Sequence, residues 1–183
     1  SDVVSHDGTA REYLVVHCPE AGKLKETMVA AGIDYTKVKH LKLTGNITST
    51  DYGFMKDEMS SIQSLNLKEV ISYCGDNYSI PSGAFSGKSS LVRCIFPDKL
   101  SVIGNSAFTG TSLTGSLIIP EGVTRIEGYA FYDVSFQGKL ELPSTVRYIG
   151  EWAFRSCDFV GNLYLPSELE YIGEMAFCYN HTF

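Results

Sequence analysis

The feature that most constrains the fold of this chain is a constant spacing of 23 residues between four of its six prolines. These are Pro97, Pro120, Pro143 and Pro166. An isoleucine stands six residues after each of these prolines, and an Ala-Phe pair begins ten residues after it. Ile80, Ala84 and Phe85 extend the same register one unit upstream. Because a fixed period of about 20–50 residues is the signature of stacked structural repeats, the chain is predicted to be built from them.

Each 23-residue unit contains one predicted strand and one predicted turn. The strands have the pattern Leu-x-Leu, or Leu-x-Ile in the first copy, directly before a proline, at residues 117–119, 140–142 and 163–165. Alternate residues of such a strand point to one face, and the proline ends it because proline lacks a backbone N–H. Gly104, Gly150 and Gly173 follow the isoleucines and are predicted to turn the chain with a positive φ, while Glu127 takes this place in one unit.

The first half of the chain carries a related but less regular pattern. Segments with the spacing apolar-x-x-apolar-x-apolar, which predicts a strand, begin at Tyr13, Val38, Ile62 and Leu91. Residues 22–31 predict a helix whose apolar face includes Ala31. Residues 51–59 predict a second helix that Ser49 or Thr50 caps.

These patterns predict an α/β, β-rich fold: a leucine-rich-repeat right-handed solenoid, with strand–helix units followed by 23-residue strand–turn units. Residues 1–10 are expected to form a loose lead-in, and residues 11–79 an N-terminal cap with irregular repeats. Residues 80–183 are expected to form the regular repeats of the same continuous solenoid. Because the chain stops at Phe183 in the middle of a unit, we expect a frayed end or a repeat that continues in a longer protein.

Composition excludes several classes of function. The 15 Lys and Arg residues are outnumbered by 21 Asp and Glu, which gives a formal net charge of -6 and argues against a nucleic-acid partner. No apolar run is long enough to predict a transmembrane segment. The five cysteines fit no zinc-binding spacing, so no metal or other cofactor is expected.

The motif P-x-x-L/V-x-x-I-G-x-x-A-F, linked by L-x-L-P, resembles the BspA-like leucine-rich repeats. The segment from Leu113 to Pro120 is similar to a glycine-containing form in surface proteins of Bacteroides and relatives. The resemblance covers residues 80–183 strongly and residues 35–79 moderately. It implies an extracellular or outer-membrane location, with a lipid anchor behind a removed signal peptide. It also implies adhesion or protein binding, with host extracellular matrix proteins as partners, and it supplies no catalytic residue.

Three groups of residues are candidate chemical sites. Residues 82–89 approach a phosphate-binding loop, but the repeat already explains the Ala-Phe pair within them. His17 and His40 are predicted to lie side by side on one sheet face, where surface residues are a better interpretation than a metal site. Most cysteines are interpreted as buried apolar residues, with a Cys157–Cys178 bridge left open.

Strand positions that point outward are the candidate binding residues. The outward positions, with the residues that flank them, are Arg93, Ile95, Ser116, Ile118, Lys139, Glu141, Asn162 and Tyr164. Exposed apolar residues in such a row indicate a partner site, although packing under a neighbouring segment or strand propensity also explains them. A second candidate strip precedes the Ala-Phe pairs and includes Tyr129 and Trp152, for which packing between units is an equal alternative.

The favoured hypothesis is an extracellular, non-catalytic protein-binding or adhesion module. The alternative is a structural spacer section of a longer cell-surface protein, and a more remote one is a glycan-binding solenoid. An enzyme is rejected because no set of reactive side chains converges in the sequence pattern. The oligomeric state stays open.

Overall fold

The computed structural model describes residues 2–4 and 10–183, with side chains from residue 12 onward. In these ranges the chain is mixed α/β and rich in β-strands. The helices are α1 (Leu24–Ala30) and α2 (Ser49–Asp57), with a 3-10 turn at Tyr35–Lys37. The strands are β1 (Asp2–Val4), β2 (Ala10–Glu12), β3 (Leu14–Cys18), β4 (His40–Ile47), β5 (Ser64–Cys74), β6 (Asn77–Ile80), β7 (Arg93–Ile95), β8 (Val102–Ile103), β9 (Gly115–Ile118), β10 (Arg125–Ile126), β11 (Gln137–Glu141), β12 (Tyr148–Ile149) and β13 (Tyr171–Ile172).

The N-terminal residues contain more structure than a loose lead-in. Strand β1 pairs with β2 in antiparallel orientation. The remainder of the expected lead-in, residues 1 and 5–9, lies outside the described residues and includes His6. No helix among residues 2–4 and 10–183 is long and apolar enough to cross a bilayer.

Both predicted helices are present, with corrected ends. Thr48, rather than Ser49 or Thr50, caps α2 through a reciprocal capping box with Asp51. The buried carboxylate of Asp51 also accepts hydrogen bonds from the backbone N–H groups of Gly22 and Leu24, at 2.7 and 2.9 Å. Asp51 therefore joins the start of α1 to the start of α2. Ala31 follows α1 and is exposed rather than part of its buried face.

Strands β3, β4, β5 and β7 form a parallel ladder from the four irregular segments. Register pairs join Leu14 to Leu41, Leu41 to Leu65, and Leu65 to Cys94. The sequence pattern aligns Val16 with Leu41, but the structure pairs Val16 with Leu43, a shift of two residues. A two-residue shift keeps the same side chains on the buried face, so the apolar pattern cannot distinguish the two registers.

A second parallel ladder follows the strict 23-residue period. It contains β6, β8, β10, β12 and β13 in this order, and β6 joins it to the first ladder by pairing antiparallel with β5. Its registers pair isoleucines of successive units: Ile80, Ile103, Ile126, Ile149 and Ile172. The first four are fully buried, whereas Ile172 on the last strand is 42% exposed.

The Leu-x-Leu strands form a shorter and interrupted ladder. Strand β9 pairs with β11 in parallel, with Leu117 opposite Leu140. The predicted strand at residues 163–165 is absent, and Val160 instead forms an isolated bridge with Thr182. Positive φ angles occur at Asp158 and Gly161, 53° and 90°, just before the predicted strand.

Phenylalanines of the Ala-Phe pairs form the centre of the core. The rings of Phe108 and Phe131 are parallel with centroids 5.2 Å apart, and Phe154 continues the stack at 5.6 Å. All three side chains are fully buried. The backbone N–H of each donates to the alanine carbonyl of the next unit, as Phe131 does to Ala153 at 2.8 Å. Each unit therefore contributes both a ring and a main-chain hydrogen bond to its neighbour.

Glycines in the repeat serve close approach of the units rather than the turn. Gly104, Gly150 and Gly173 do not have positive φ. A Cβ added to Gly150 would lie only 2.3 Å from the backbone N of Gly128 in the preceding unit. The predicted turn role is therefore wrong, because the main chains of successive units leave no space for a side chain here. Positive φ angles, between 53° and 59°, occur instead at the residue directly before each Ala-Phe pair. These residues are Ser106, Tyr129, Trp152 and Met175.

The substitution Gly150→Ala tests this close contact. The added methyl group forces successive main chains apart, so we expect the free energy of unfolding to fall by about 1–3 kcal/mol. Urea denaturation followed by circular dichroism measures the change. The matched control is Gly53→Ala in α2, where an added Cβ meets nothing within 4 Å. The control should be neutral or more stable by up to about 1 kcal/mol, and equal stability of the two variants would contradict the account.

Candidate functional site

The first row of predicted outward residues extends over three strands and the segment after them. Arg93 and Ile95 lie on β7 and are half-buried, whereas Ser116 and Ile118 on β9 are exposed. Lys139 and Glu141 are exposed on β11, and Glu141 pairs in register with Ile118. The backbone N–H of Lys139 donates to Ser116 Oγ at 3.0 Å. These contacts bring β9 and β11 into one continuous surface.

Asn162 and Tyr164 lie beyond the end of that ladder. The amide nitrogen of Asn162 donates to the Tyr164 hydroxyl at 3.2 Å. Tyr164 is 75% exposed, and Ile118 is 52% exposed. Two large apolar side chains of the row are therefore open to solvent, which is the condition that a partner surface requires.

A groove lies between β7 and β9 and is lined by four of the predicted residues. Its volume is about 310 Å³, near the lower end of the range for ligand pockets. Arg93 and Ile95 line one side, and Ser116 and Ile118 line the other. No ladder joins β7 to β9 among the described residues, since β7 pairs with β5 and β9 with β11. We refer to this feature as the β7–β9 groove.

Several groove residues could not be recognised as site residues from the strand pattern. Three buried residues of the repeat core line the groove, because no ladder joins β7 to β9 there: Phe96, Leu117 and Phe136. Lys68 lies in β5 and Asp98 in the loop after β7, and both line the groove. One signal was present in the sequence: Leu91 precedes Cys94 by three residues, whereas Leu113 precedes Leu117 by four. This one-residue difference distinguishes the unit of β7 from the unit of β9, and no ladder joins these two strands.

The second candidate strip is a packed cluster of aromatic rings and one guanidinium. Tyr129 and Trp152 stack with centroids 5.6 Å apart, and the Arg155 guanidinium lies 4.1 Å from the centre of the Trp152 ring. Arg155 also donates to the Tyr132 hydroxyl at 3.1 Å. Tyr129 and Trp152 are half-buried, so much of their surface contacts neighbouring units rather than solvent.

The loop at residues 82–89 makes a structural contact with the end of α2. The Lys88 ammonium turns inward and donates to the backbone oxygens of Lys56 and Met59, at 2.8 and 2.9 Å. It thereby satisfies carbonyl groups at the C-terminal end of α2. Burial lowers the pKa of Lys88, and the residue is only 9% exposed. A lysine in this position cannot reach a phosphate group in solvent.

The histidines are not arranged as predicted. In the β3–β4 register His17 pairs with Thr44, and its Nδ1 lies 2.9 Å from Thr44 Oγ1. His40 stands four residues before Thr44, at the start of β4, so the two imidazoles are not side by side. No group of three or more His, Cys, Asp or Glu side chains is placed to hold a metal in the described part of the chain.

The five cysteines are free thiols. Burial raises the pKa of Cys94 and of Cys157. The Cys157 thiol donates to the backbone oxygen of Phe131 at 3.0 Å, and the structure contains no bond between Cys157 and Cys178. Because a thiolate is the reactive form of cysteine, neither buried thiol is suited to nucleophilic chemistry.

The fold and the open row of strand residues define a leucine-rich-repeat protein. The family described as BspA type leucine rich repeat region matches residues 78–182 in six copies, which is more than half of the chain. The chain therefore belongs to this family. Repeats of this kind are typically protein-binding modules of surface proteins and are generally non-catalytic. A search of curated proteins found no match to the chain.

The substitution Lys88→Met tests the structural role of the loop. Without the ammonium, the backbone oxygen of Lys56 loses this donor and that of Met59 keeps only the Ile62 N–H. We therefore expect the free energy of unfolding to fall by about 1–3 kcal/mol in chemical denaturation. Lys99→Met is the matched control, because Lys99 is exposed, and its effect should stay within about 0.5 kcal/mol.

Titration calorimetry with Mg-ATP should show no heat of binding for the unmodified protein. Nucleotide binding that Lys88→Met abolishes would reverse this interpretation.

Proposed function

We propose that this chain is a non-catalytic adhesion module of a cell-surface protein, and that it binds another protein through the outward row of its Leu-x-Leu strands. The observation that carries the proposal is the exposure of Ile118 and Tyr164 in that row. Leu117 and Ile119, the neighbours of Ile118, are buried, so the exposure of Ile118 follows strand alternation. A large apolar side chain surrounded by polar neighbours is typical of the centre of a protein interface.

The proposed architecture of this module is a right-handed solenoid. The constant 23-residue register of the β6–β8–β10–β12–β13 ladder supports it, because each unit then advances the stack by one strand. Connections between parallel strands of one sheet are almost always right-handed, which gives the hand of the coil. The outward row would then lie on one side of the solenoid.

The proposed location is the extracellular or outer-membrane surface, with a lipid anchor in the full-length protein. Family membership supports this location, because repeats of this type are typical of surface proteins. Host extracellular matrix proteins are the proposed class of partner. The family's generally non-catalytic character and the buried thiols support a binding role over an enzymatic one.

A structural spacer is the second candidate function, and the regular stack favours it. The ladder of β6, β8, β10, β12 and β13 keeps one register through successive units, and a regular column of units is what a spacer requires. A spacer would show no affinity for matrix proteins, whereas an adhesion module would.

A binding screen against host extracellular matrix proteins, read by surface plasmon resonance, tests the proposed function. We expect at least one specific partner, and Ile118→Ala and Tyr164→Ala should each weaken its affinity by about tenfold or more, as for interface hot spots. The matched control is Val29→Ala, because Val29 is 57% exposed on α1 and lies outside the outward row. The absence of any partner would favour the spacer, and binding that neither substitution weakens would contradict the assigned surface.

A further inference from the structure

The column of aromatic rings in the second candidate strip ends at Tyr129. The Tyr129 ring stacks on Trp152, with centroids 5.6 Å apart and an angle of 25° between the ring planes. Tyr132 lies 5.7 Å from Tyr129 and 6.0 Å from Trp152, so it is on the Trp152 side of the Tyr129 ring. Among residues 2–4 and 10–183, no other ring and no cation contacts Tyr129. The opposite face of its ring is therefore free of such partners.

The repeat position that would cover this face carries a small side chain. Ser106 stands 23 residues before Tyr129, as Tyr129 stands before Trp152. The backbone N–H of Ser106 donates to the oxygen of Gly128 at 3.0 Å, and that of Tyr129 donates to the oxygen of Glu151 at 2.9 Å. The units are thus stacked in one register here, and the serine leaves the place of a third ring open.

Polar side chains lie beside this open place. A Cβ added to Gly128 would be 3.2 Å from Asn105 Nδ2 and 3.3 Å from Glu151 Cγ, so these two exposed side chains converge at the residue before Tyr129. Ser106 Oγ donates to Asn105 Oδ1 at 2.8 Å. In the described part of the chain, no hydrogen bond or ion pair holds the Glu151 carboxylate. We refer to Asn105, Ser106, Tyr129 and Glu151 as the Tyr129 ledge.

Charge complementarity favours a cationic group at this ledge. Residues 120–183 contain nine Asp and Glu but only four Lys and Arg, so most of the formal net charge of -6 lies in these repeats. A cation gains from this surplus of carboxylates, and the electron-rich face of a tyrosine ring attracts it as well. Arg155 is held against other rings of the column, 4.1 Å from the centre of Trp152, and does not contact Tyr129.

An arginine of the same repeats shows which cation such a place suits. The Arg125 guanidinium lies 3.9 Å from the centre of the Tyr148 ring, and its Nε lies 3.0 Å from Glu127 Oε1. A guanidinium is planar and weakly hydrated, so it can stack on a ring and pair with a carboxylate at the same time, which an ammonium does less well. The Tyr129 ledge offers the same two groups, a ring face and a carboxylate.

We propose that the Tyr129 ledge binds an arginine side chain of a partner protein. The guanidinium stacks on the free face of Tyr129, in the place left open at Ser106, and donates to the Glu151 carboxylate. This inference rests on the proposed protein-binding function and adds a second contact surface to it. None of the four ledge residues belongs to the outward row, so the two proposals can be tested separately.

A short arginine peptide gives a direct test with the intact chain. The probe is acetylated and amidated Gly-Arg-Gly, titrated into isotope-labelled protein and followed by the NMR shifts of the backbone amides. We expect saturable shifts centred on Ser106, Tyr129 and Glu151, with a Kd of about 1 mM. Citrulline, which keeps the shape of arginine without its charge, should bind about tenfold more weakly, and lysine about threefold more weakly. No saturable shift at these residues, or equal binding of the arginine and citrulline peptides, would overturn the proposal.

Variants of the chain locate the peptide on the ledge. Tyr129→Leu removes the ring and should weaken arginine binding about fivefold, and Glu151→Gln should weaken it about threefold. The matched controls Tyr73→Leu and Glu121→Gln remove an exposed ring and an exposed carboxylate elsewhere, and neither should change the affinity. Circular dichroism melts confirm that each variant folds. Equal effects of a ledge variant and its control would overturn the assignment.

The substitution Ser106→Tyr fills the open place with the residue that the next unit uses. The φ of Ser106, 54°, is close to the 57° of Tyr129, so the backbone already suits this side chain. The new ring should cover the free face of Tyr129 and abolish detectable arginine binding without lowering the melting midpoint. A folded Ser106→Tyr variant that binds the peptide as tightly as the unmodified chain would overturn the proposal.

Parallel measurements distinguish this occupant from others. Maltose that shifts the same amides while arginine shows no advantage over citrulline would assign a sugar, and a dimer that Ser106→Tyr dissociates would assign a second copy of the chain. Either result would overturn the proposal. If the matrix screen finds a partner that Tyr164→Ala weakens but the peptide does not bind, the inference fails while the proposed function stands. If the peptide binds and the screen finds no partner, the inference stands and the matrix-adhesion proposal fails.

Discussion

The close approach of main chains between successive units is the constraint on which the structure depends. At Gly150 the backbone of one unit lies so near that of the preceding unit that not even a methyl group fits. Repeated contacts of this kind require each unit to reproduce the backbone of its neighbour. The stacked rings of Phe108 and Phe131, and the hydrogen bond from Phe131 to Ala153, follow from the same spacing. The 23-residue period of the sequence therefore follows from the geometry that stacking of the units requires.

The candidate binding surface arises where that regularity is incomplete. The isoleucine ladder runs without interruption from β6 to β13, whereas the Leu-x-Leu strands are open between β7 and β9. The core beneath the opening stays packed because Phe96 contacts Phe108 rather than crossing the groove. Stability and the proposed binding are therefore assigned to different parts of each unit. The isoleucine ladder holds neighbouring units together, whereas the Leu-x-Leu strands leave strand edges and outward side chains accessible.

Periodicity predicted the repeated features of the fold, and single contacts determined the rest. The isoleucine register and the buried Ala-Phe pairs follow from spacing alone, because every unit faces the same neighbours. The role of Gly150 depends on the distance between main chains, which composition does not encode. Lys88 contacts carbonyl groups 29 and 32 residues away in sequence. The shift of β3 by two residues preserves its buried face, and the gap beside β9 is marked only by the position of Leu113.

The most direct test of the account is the removal of one complete unit. Deletion of residues 147–169 joins Val146 to Glu170 and preserves the 23-residue register, so β10 should pair with β13. Differential scanning calorimetry should then show a folded protein with one cooperative transition at a somewhat lower temperature. Deletion of residues 147–157 breaks the register and should abolish cooperative unfolding of the C-terminal repeats. Equal disruption by the two deletions would contradict the repeat account.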